Sequence, residues 1–124
     1  MTDVVVVKFG GGLITNKAKL CTPDLAIIEQ LVAVVKRCLE SGLQVIVVHG
    51  AGSFGHLRAK YWRLNEGLLP GVEFAPQGDC SSQKEAVSLV RKDMLTINSL
   101  IINAFQKDRV CLLYTSPSPR DSYG

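Results

Sequence analysis

Apolar and polar positions along the chain follow two different periods, and together they predict a strand–helix–strand order. Residues 4–9 and 43–48 are short runs dominated by β-branched and other apolar side chains. Between them, residues 25–39 carry apolar side chains at the spacing of an amphipathic helix. Short strands that are apolar on both faces are typical of a buried parallel sheet. We therefore predict an α/β fold built on a right-handed βαβ unit.

Local signals predict where the first long helix begins and ends. The order Thr22, Pro23, Asp24 is typical of a helix start, with Thr22 as the N-cap, proline at the first helical position and an acidic side chain in the first turn. Gly42 follows the last apolar position of the pattern. A glycine there predicts a left-handed end to the helix.

The second half of the chain predicts another long helix, preceded by a loop. Residues 82–85, Ser-Gln-Lys-Glu, form a capping box, and the apolar stripe that follows extends the helix to about residue 105. We expect Met94 in that stripe to fill space in the core. Residues 56–62 predict a short helix, and residues 65–79, rich in glycine and proline, predict a long surface loop. Loops of that length often form a lid or a substrate wall.

A glycine-rich turn follows each predicted strand. The first glycine loop consists of Gly10, Gly11 and Gly12, and the second, residues 50–55, contains Gly50, Gly52 and Gly55. Backbone N–H groups in such turns form a cradle for anions. Lys8 and Lys17 lie on either side of the first loop in the sequence. Because phosphoryl transfer needs chiefly positioning and positive charge, the pattern predicts a phosphate site.

The two histidines flank the second glycine loop and are expected to differ in role. His49 ends the second strand, where we predict that it bonds to neighbouring backbone. His56 follows the last glycine of the loop and lies outside any apolar stripe. It is therefore the better candidate for a ligand of phosphate.

The second glycine loop also matches the Gly-x-Gly-x-x-Gly pattern of dinucleotide-binding proteins. That pattern requires a strand ending in an acidic residue about 20 residues later. Here Glu73 lies within the predicted loop, with no strand leading to it. A dehydrogenase is therefore disfavoured. Neither loop continues into the Gly-Lys-Ser/Thr of a P-loop.

Composition narrows the class of protein. The 124 residues suffice for one small domain, and a net charge of +3 without a basic run argues against nucleic acid as a partner. No apolar stretch approaches the ~20 residues of a membrane span. We expect that the N-terminal apolar run is not a signal peptide, because Lys8 and three glycines interrupt it. The four cysteines show neither a Cys-x-x-Cys pair nor metal-ligand spacing. We expect reduced thiols, no metal-ligand set and a cytoplasmic protein.

Two motifs together resemble the amino acid kinase superfamily. Residues 6–17 read VVKFGGGLITNK, and residues 47–56 read VVHGAGSFGH. The closing Ser-Phe-Gly-His and residues 90–94, VRKDM, are similar to the isopentenyl phosphate kinases. The resemblance implies a three-layer α/β sandwich with a mainly parallel sheet. It also implies an ATP-dependent, Mg²⁺-assisted phosphotransferase that converts isopentenyl phosphate to isopentenyl diphosphate.

The same resemblance implies a role for each matching residue. Lys17 would stabilise the transferring phosphoryl group, and Lys8 would join it as a catalytic residue that also holds ATP. The other implied ligands of ATP are Gly10, Gly11, Gly12 and Gly52. The implied ligands of the acceptor are Ala51, Gly55 and His56. Gly12 departs from the family, which more often has Ser or Ala there.

Chain length and the C-terminal residues predict a truncated domain. We expect residues 1–110 to be the N-terminal part of an amino acid kinase domain and residues 111–124 to be an artefactual or disordered tail. Residues 111–121, CLLYTSPSPRD, resemble a translated sequencing adapter, although residues 110–114 could still form a strand. The family implies a homodimer for the full-length form.

Two other functions remain open from the sequence alone. One is another small-molecule kinase of the superfamily, such as a fosfomycin-type kinase. The other is a non-catalytic anion-binding fragment.

Overall fold

A computed structural model describes residues 3–110 of the chain and shows an α/β arrangement. Its strands are β1 (Val4–Phe9) and β2 (Gln44–His49), and its helices are α1 (Gly11–Ile14), α2 (Leu25–Glu40), α3 (His56–Tyr61) and α4 (Gln83–Lys107). Two short 3₁₀ turns cover Gly52–Phe54 and Leu64–Glu66. No helix in this part of the chain is long and apolar enough to cross a membrane.

The two strands pair in parallel, which confirms the predicted βαβ unit. Val4 lies opposite Gln44 at one end of the register, and Phe9 lies opposite His49 at the other. The carboxyl ends of both strands therefore meet at one edge of the sheet. Ligands of open α/β sheets bind beyond this edge, so the fold places both glycine loops where a site is expected.

Helices cover one face of the sheet and leave the other exposed. Phe9 is fully buried and stacks on Phe105 of α4, with ring centroids 6.2 Å apart. The core around this pair consists of Phe9, Ile14, Ile28, Val32, Val35, Phe54, Ile97, Ile101, Phe105 and Val110. On the opposite face Val4 is 54% and Val6 64% exposed. The prediction that β1 is buried on both faces is therefore wrong for the described residues, since they provide no layer over that side.

The start of α2 differs from the prediction, whereas its end agrees. Asp24, not Thr22, is the N-cap: its carboxylate accepts a hydrogen bond from the Ile27 N–H at 3.1 Å. Pro23 instead forms an antiparallel bridge with Thr15, which keeps this segment extended before the helix begins. At the other end Gly42 has a φ of +89°, as a left-handed helix end requires.

The capping box begins α4 as predicted, and the helix continues to Lys107. The Ser82 hydroxyl caps it by accepting from the Glu85 N–H at 3.2 Å. The first residue, Gln83, is buried and orders the preceding loop through three backbone bonds. Its amide donates to the carbonyls of Trp62 and Gly67 and accepts from the Leu69 N–H.

Three further predictions concern the first glycine loop, the short helix after the second loop and the C-terminal strand. The first glycine loop is not a plain turn, because α1 begins at Gly11 and the N–H groups of Leu13 and Ile14 bond to the Gly10 carbonyl. The short helix predicted after the second loop is present as α3. The strand predicted over residues 110–114 lies, beyond Val110, outside the described residues.

Candidate active site

An open cavity of about 580 Å³ lies at the carboxyl edge of the sheet. All of the residues predicted for the site line it: Lys8, Gly10, Gly11, Gly12, Lys17, Ala51, Gly52, Gly55 and His56. Gly50, Ala59, Val90 and Met94 complete the lining. The structure thus brings together in one place residues that the sequence separates by up to 48 positions. The role assigned to each of them stays a prediction.

The two glycine loops touch backbone to backbone, and this contact requires glycine. A Cβ atom on Gly11 would collide with the backbone nitrogen of Gly52. One on Gly52 would collide with the Gly11 carbonyl and the Thr15 hydroxyl, and Gly52 also has a φ of +51°. Larger residues at either position would force the loops apart. The floor of the cavity is therefore bare backbone, which is suited to an anion.

Two lysines border the first glycine loop. Lys8 lies one position from the end of β1, on the exposed face of the sheet. Lys17 folds back over the loop, so that a Cβ on Gly12 would lie 2.5 Å from its Cε atom. Glycine at position 12 thus leaves room for the Lys17 side chain. Both side chains reach the cavity and place positive charge beside the backbone cradle.

The two histidines differ as predicted in what surrounds them. The His49 ring is engaged on both sides: Nδ1 lies 3.0 Å from the Gly50 carbonyl oxygen, and Nε2 lies 3.0 Å from Oδ1 of Asn98. His49 therefore links β2, the second glycine loop and α4. His56 begins α3 and is exposed in the cavity lining. The geometry leaves His56 accessible to a ligand.

An apolar wall that was not predicted from the sequence also lines the cavity. It consists of Ala59 on α3 and Val90 and Met94 on α4. Met94 was expected in the core, yet it is 44% exposed because this part of α4 faces the cavity. The available signal was spacing: Val90 and Met94 are four residues apart, and Ala59 is three after His56. Which face of each helix met the site could not be read from the sequence.

An ion pair fixes the two helices that carry this wall. Nη2 of Arg58 on α3 lies 3.3 Å from Oδ2 of Asp93 on α4, and both side chains are largely buried. The thiol of Cys21 lies in the same environment. Burial, and then the Asp93 carboxylate, raise the pKa of Cys21, while Arg58 opposes them more weakly. The pair fixes α3 relative to α4 and so sets where His56 lies against the apolar wall.

Comparison with known proteins identifies the family. The sequence model of the amino acid kinase family matches residues 3–112. The chain belongs to the amino acid kinase family. This agrees with the parallel sheet and the paired glycine loops.

The similar proteins point to one branch of that family. The chain is 35% identical over 103 residues to the isopentenyl phosphate kinase of Thermoplasma acidophilum, an alignment that covers 82% of this chain and 36% of that protein. Crystal structures match as well. The T. acidophilum isopentenyl phosphate kinase product complex has a TM-score of 0.63 at 28% identity, and an isopentenyl phosphate kinase substrate complex has a TM-score of 0.59 at 28% identity.

These matches cover most of this chain but a much smaller part of each matched protein. Both structures are matched over 86% of this chain but over only 39% of their own length. The chain thus spans less than two fifths of the relatives it matches. The match to the family model, residues 3–112, contains every residue that lines the cavity.

Proposed function

We propose that the chain is the N-terminal part of a kinase that transfers the γ-phosphoryl group of ATP to isopentenyl phosphate, producing isopentenyl diphosphate. One observation carries the proposal. A single cavity combines a backbone anion cradle and two lysines with an exposed histidine and an apolar wall. The similarity to isopentenyl phosphate kinases supports the same assignment.

The cavity lining offers a polar and an apolar surface for the two parts of the proposed acceptor. Its phosphate would lie at Ala51, Gly55 and His56, where the imidazole of His56 is exposed. Its five-carbon chain would lie against the apolar wall of Ala59, Val90 and Met94. An apolar wall next to a phosphate site favours a phosphorylated hydrocarbon over a compact polar acceptor such as a carboxylate.

The chemistry requires positive charge rather than a base. An oxygen of the acceptor phosphate attacks the γ-phosphorus of ATP, and the bond from that phosphorus to the β–γ bridging oxygen breaks to release ADP. The attacking oxygen is already ionised at neutral pH, so no side chain need remove a proton. Lys17 would stabilise charge on the transferring group, Lys8 would hold the nucleotide phosphates, and His56 would fix the acceptor.

The described residues fit ATP phosphates, with Mg²⁺ bound through the nucleotide. Gly11, Gly12 and Gly52 present backbone to the cavity, and the two lysines would complement the charge of phosphate oxygens bound there. Within residues 3–110 no three His, Cys, Asp or Glu side chains gather as metal ligands. Mg²⁺ would therefore be held chiefly by the phosphates themselves, as is usual for this ion, and would neutralise charge on the transferring group.

The proposal extends to the whole protein. We infer that residues 1–110 are the first part of a longer kinase domain and that residues 111–124 are not native to it. Sequencing an independently amplified transcript beyond the Val110 codon tests that inference. A homodimer in the full-length form and a cytoplasmic location, in keeping with the free thiols of Cys21, Cys38 and Cys80, belong to the same proposal.

A comparison of acceptors tests the substrate assignment. The full-length protein is incubated with ATP and Mg²⁺ and offered isopentenyl phosphate, methyl phosphate or fosfomycin, and ADP release is measured. We expect the highest kcat/KM with isopentenyl phosphate. Methyl phosphate should be a poor acceptor because it cannot occupy the apolar wall. Preference for fosfomycin would instead assign the protein to the fosfomycin-type kinases.

A further inference from the structure

Two buried side-chain hydroxyl groups connect parts of the site. Contact with a ligand does not explain their presence there. Thr15 and Ser53 are 4% and 1% exposed, and neither lines the cavity. Thr15 lies just after α1, and Ser53 lies in the 3₁₀ turn of the second glycine loop. Burying a hydroxyl is unfavourable unless it is hydrogen-bonded, so their partners indicate what they do.

The Thr15 hydroxyl bridges the two glycine loops directly. Its Oγ1 donates to the Gly11 carbonyl at 2.6 Å and accepts from the Ser53 N–H at 3.0 Å. One atom therefore contacts the backbone of both loops at the place where Gly11 and Gly52 touch. The bridge sets the spacing between the part of the cavity proposed for ATP and the part proposed for the acceptor.

Ser53 holds the other end of the segment that carries Lys17. Its backbone carbonyl accepts from the Cys21 N–H at 2.9 Å, and its hydroxyl accepts from the Thr22 N–H at 3.2 Å. The Asn16 N–H also donates to the Thr22 carbonyl at 2.8 Å, which closes the segment at its base. The exposed residues 16–20 are thus a loop whose two ends are both attached to Ser53, directly or through Thr15.

We propose that Thr15 and Ser53 are positioning residues that fix the Lys17 loop and both glycine loops as one unit. The inference rests on the proposed function, because the consequence that matters is the placement of Lys17 between two phosphates. Misplacing a reacting group by about 1 Å can lower a rate by about 10²-fold. A long, exposed lysine cannot hold such a position unless the loop beneath it is fixed.

Amide hydrogen exchange tests the attachment without any assay of activity. Thr15→Val keeps the size and branching of the side chain but removes its hydroxyl. We expect the amide of Ser53 to lose protection in this variant and to keep it in Thr15→Ser. Thr96→Val is a matched control, because Thr96 on α4 likewise donates to the carbonyl four residues earlier but is exposed. Unchanged protection at Ser53 in Thr15→Val would overturn the attachment.

Steady-state kinetics of the full-length kinase then tests positioning. Thr15→Val should lower kcat by about 10-fold to 10²-fold with a smaller change in KM for either substrate, and Thr15→Ser should restore most of the loss. Ser53→Ala, which removes only the two hydrogen bonds between its hydroxyl and the backbone of Thr22, should also lower kcat and serves if Thr15→Val does not fold. An unchanged kcat in a folded variant that has lost protection would refute the positioning role. If the wild-type protein shows no turnover, the proposed function fails while the exchange result still stands.

Discussion

At the scale of single residues, the proposed reaction depends on the side chains that bring positive charge to the phosphates. Lys17 is the sharpest case because it folds over the first glycine loop and has no assigned structural task. Lys17→Ala should lower kcat by on the order of 10²-fold, by analogy with removal of one preorganised donor, with little effect on folding. Steady-state kinetics of the full-length kinase measures this, and thermal unfolding checks the fold.

Lys17→Arg keeps the positive charge at this position but changes where the N–H donors lie. A planar guanidinium is larger than an ammonium and presents its donors differently, so this variant should recover only part of the rate. Lys19→Ala is the control, since Lys19 lies in the same exposed loop but does not line the cavity. Wild-type turnover in Lys17→Ala would contradict the role.

His56 is expected to bind and not to exchange protons. His56→Ala should raise KM for the phosphorylated acceptor by about 10-fold to 10²-fold, since a charge-assisted hydrogen bond contributes roughly 1.5–3 kcal/mol, and KM for ATP should change less. The measurement is a pair of substrate titrations on the full-length kinase. An unchanged KM for the acceptor would contradict the assignment, and a loss confined to kcat would indicate catalysis instead.

Residue types were more predictable from sequence than their surroundings. Glycine, lysine and histidine at the ends of predicted strands indicated an anion site, because the carboxyl ends of parallel strands must meet. The buried bonds of Thr15 and Ser53 gave no such signal. The bond between the two residues joins positions 38 apart, and a threonine in a polar stretch looks like any loop residue until the two loops are placed in contact.

At the scale of elements, the ion pair between α3 and α4 controls both the apolar wall and the chemistry of Cys21. Burial and Asp93 raise the pKa of the Cys21 thiol, so its alkylation should require a higher pH than that of an unstructured thiol. Asp93→Asn should move the alkylation midpoint to lower pH, because it removes the carboxylate and leaves the Arg58 charge. Peptide-resolved mass spectrometry after iodoacetamide treatment at several pH values measures the change for Cys21 alone.

The sign of this shift also predicts a pH effect on stability. When the folded-state pKa of a thiol is raised, the unfolded chain loses its proton first, so stability is full below the ordinary thiol pKa and falls as pH rises above it.

Glu29→Gln is the control for the alkylation experiment, since it removes the exposed ion pair that Glu29 on α2 makes with Lys107 on α4. A midpoint that is the same in wild type and Asp93→Asn would show that the carboxylate does not act on Cys21.

The ends of helices were predictable where no contact with a distant segment opposed the local sequence signal. Ser82 began α4 and Gly42 ended α2 as expected, because each acts on its own neighbours. Thr22 did not cap α2 because its neighbour Pro23 pairs with Thr15, a contact between segments that no local pattern reveals. The prediction that Met94 lies in the core was wrong for the same kind of reason. An apolar stripe along a helix does not show whether a given turn faces the core or a cavity.

At the scale of the whole molecule, the described residues leave one face of the sheet uncovered. Val4, Val6, Ile46 and Val48 are between 43% and 64% exposed on that face. Adjacent apolar side chains of this kind mark surface that another layer covers. The 124-residue chain alone should therefore bind a hydrophobic dye and show no ATP-dependent turnover. Dye fluorescence and ADP release measure the two expectations.

Substitutions on the exposed face of the sheet that preserve strand propensity test whether the dye binds there. Val6 and Ile46 lie opposite each other in the register, and their joint replacement by threonine should lower dye fluorescence while leaving the strands paired. Leu95→Gln is the control, since Leu95 is 52% exposed on α4, away from the sheet. Equal fluorescence in the threonine variant and wild type would mean that this face is not the exposed apolar surface in solution.

The central claim is that one cavity brings the phosphate of ATP to the phosphate of a hydrocarbon acceptor. Its most direct test follows the phosphorus itself. The full-length protein is given ATP labelled in the γ-phosphate, Mg²⁺ and isopentenyl phosphate, and the products are separated. The account predicts that the label appears as the terminal phosphate of isopentenyl diphosphate, with one ADP formed for each diphosphate. Label released as inorganic phosphate, or ATP consumption that does not depend on isopentenyl phosphate, would contradict it.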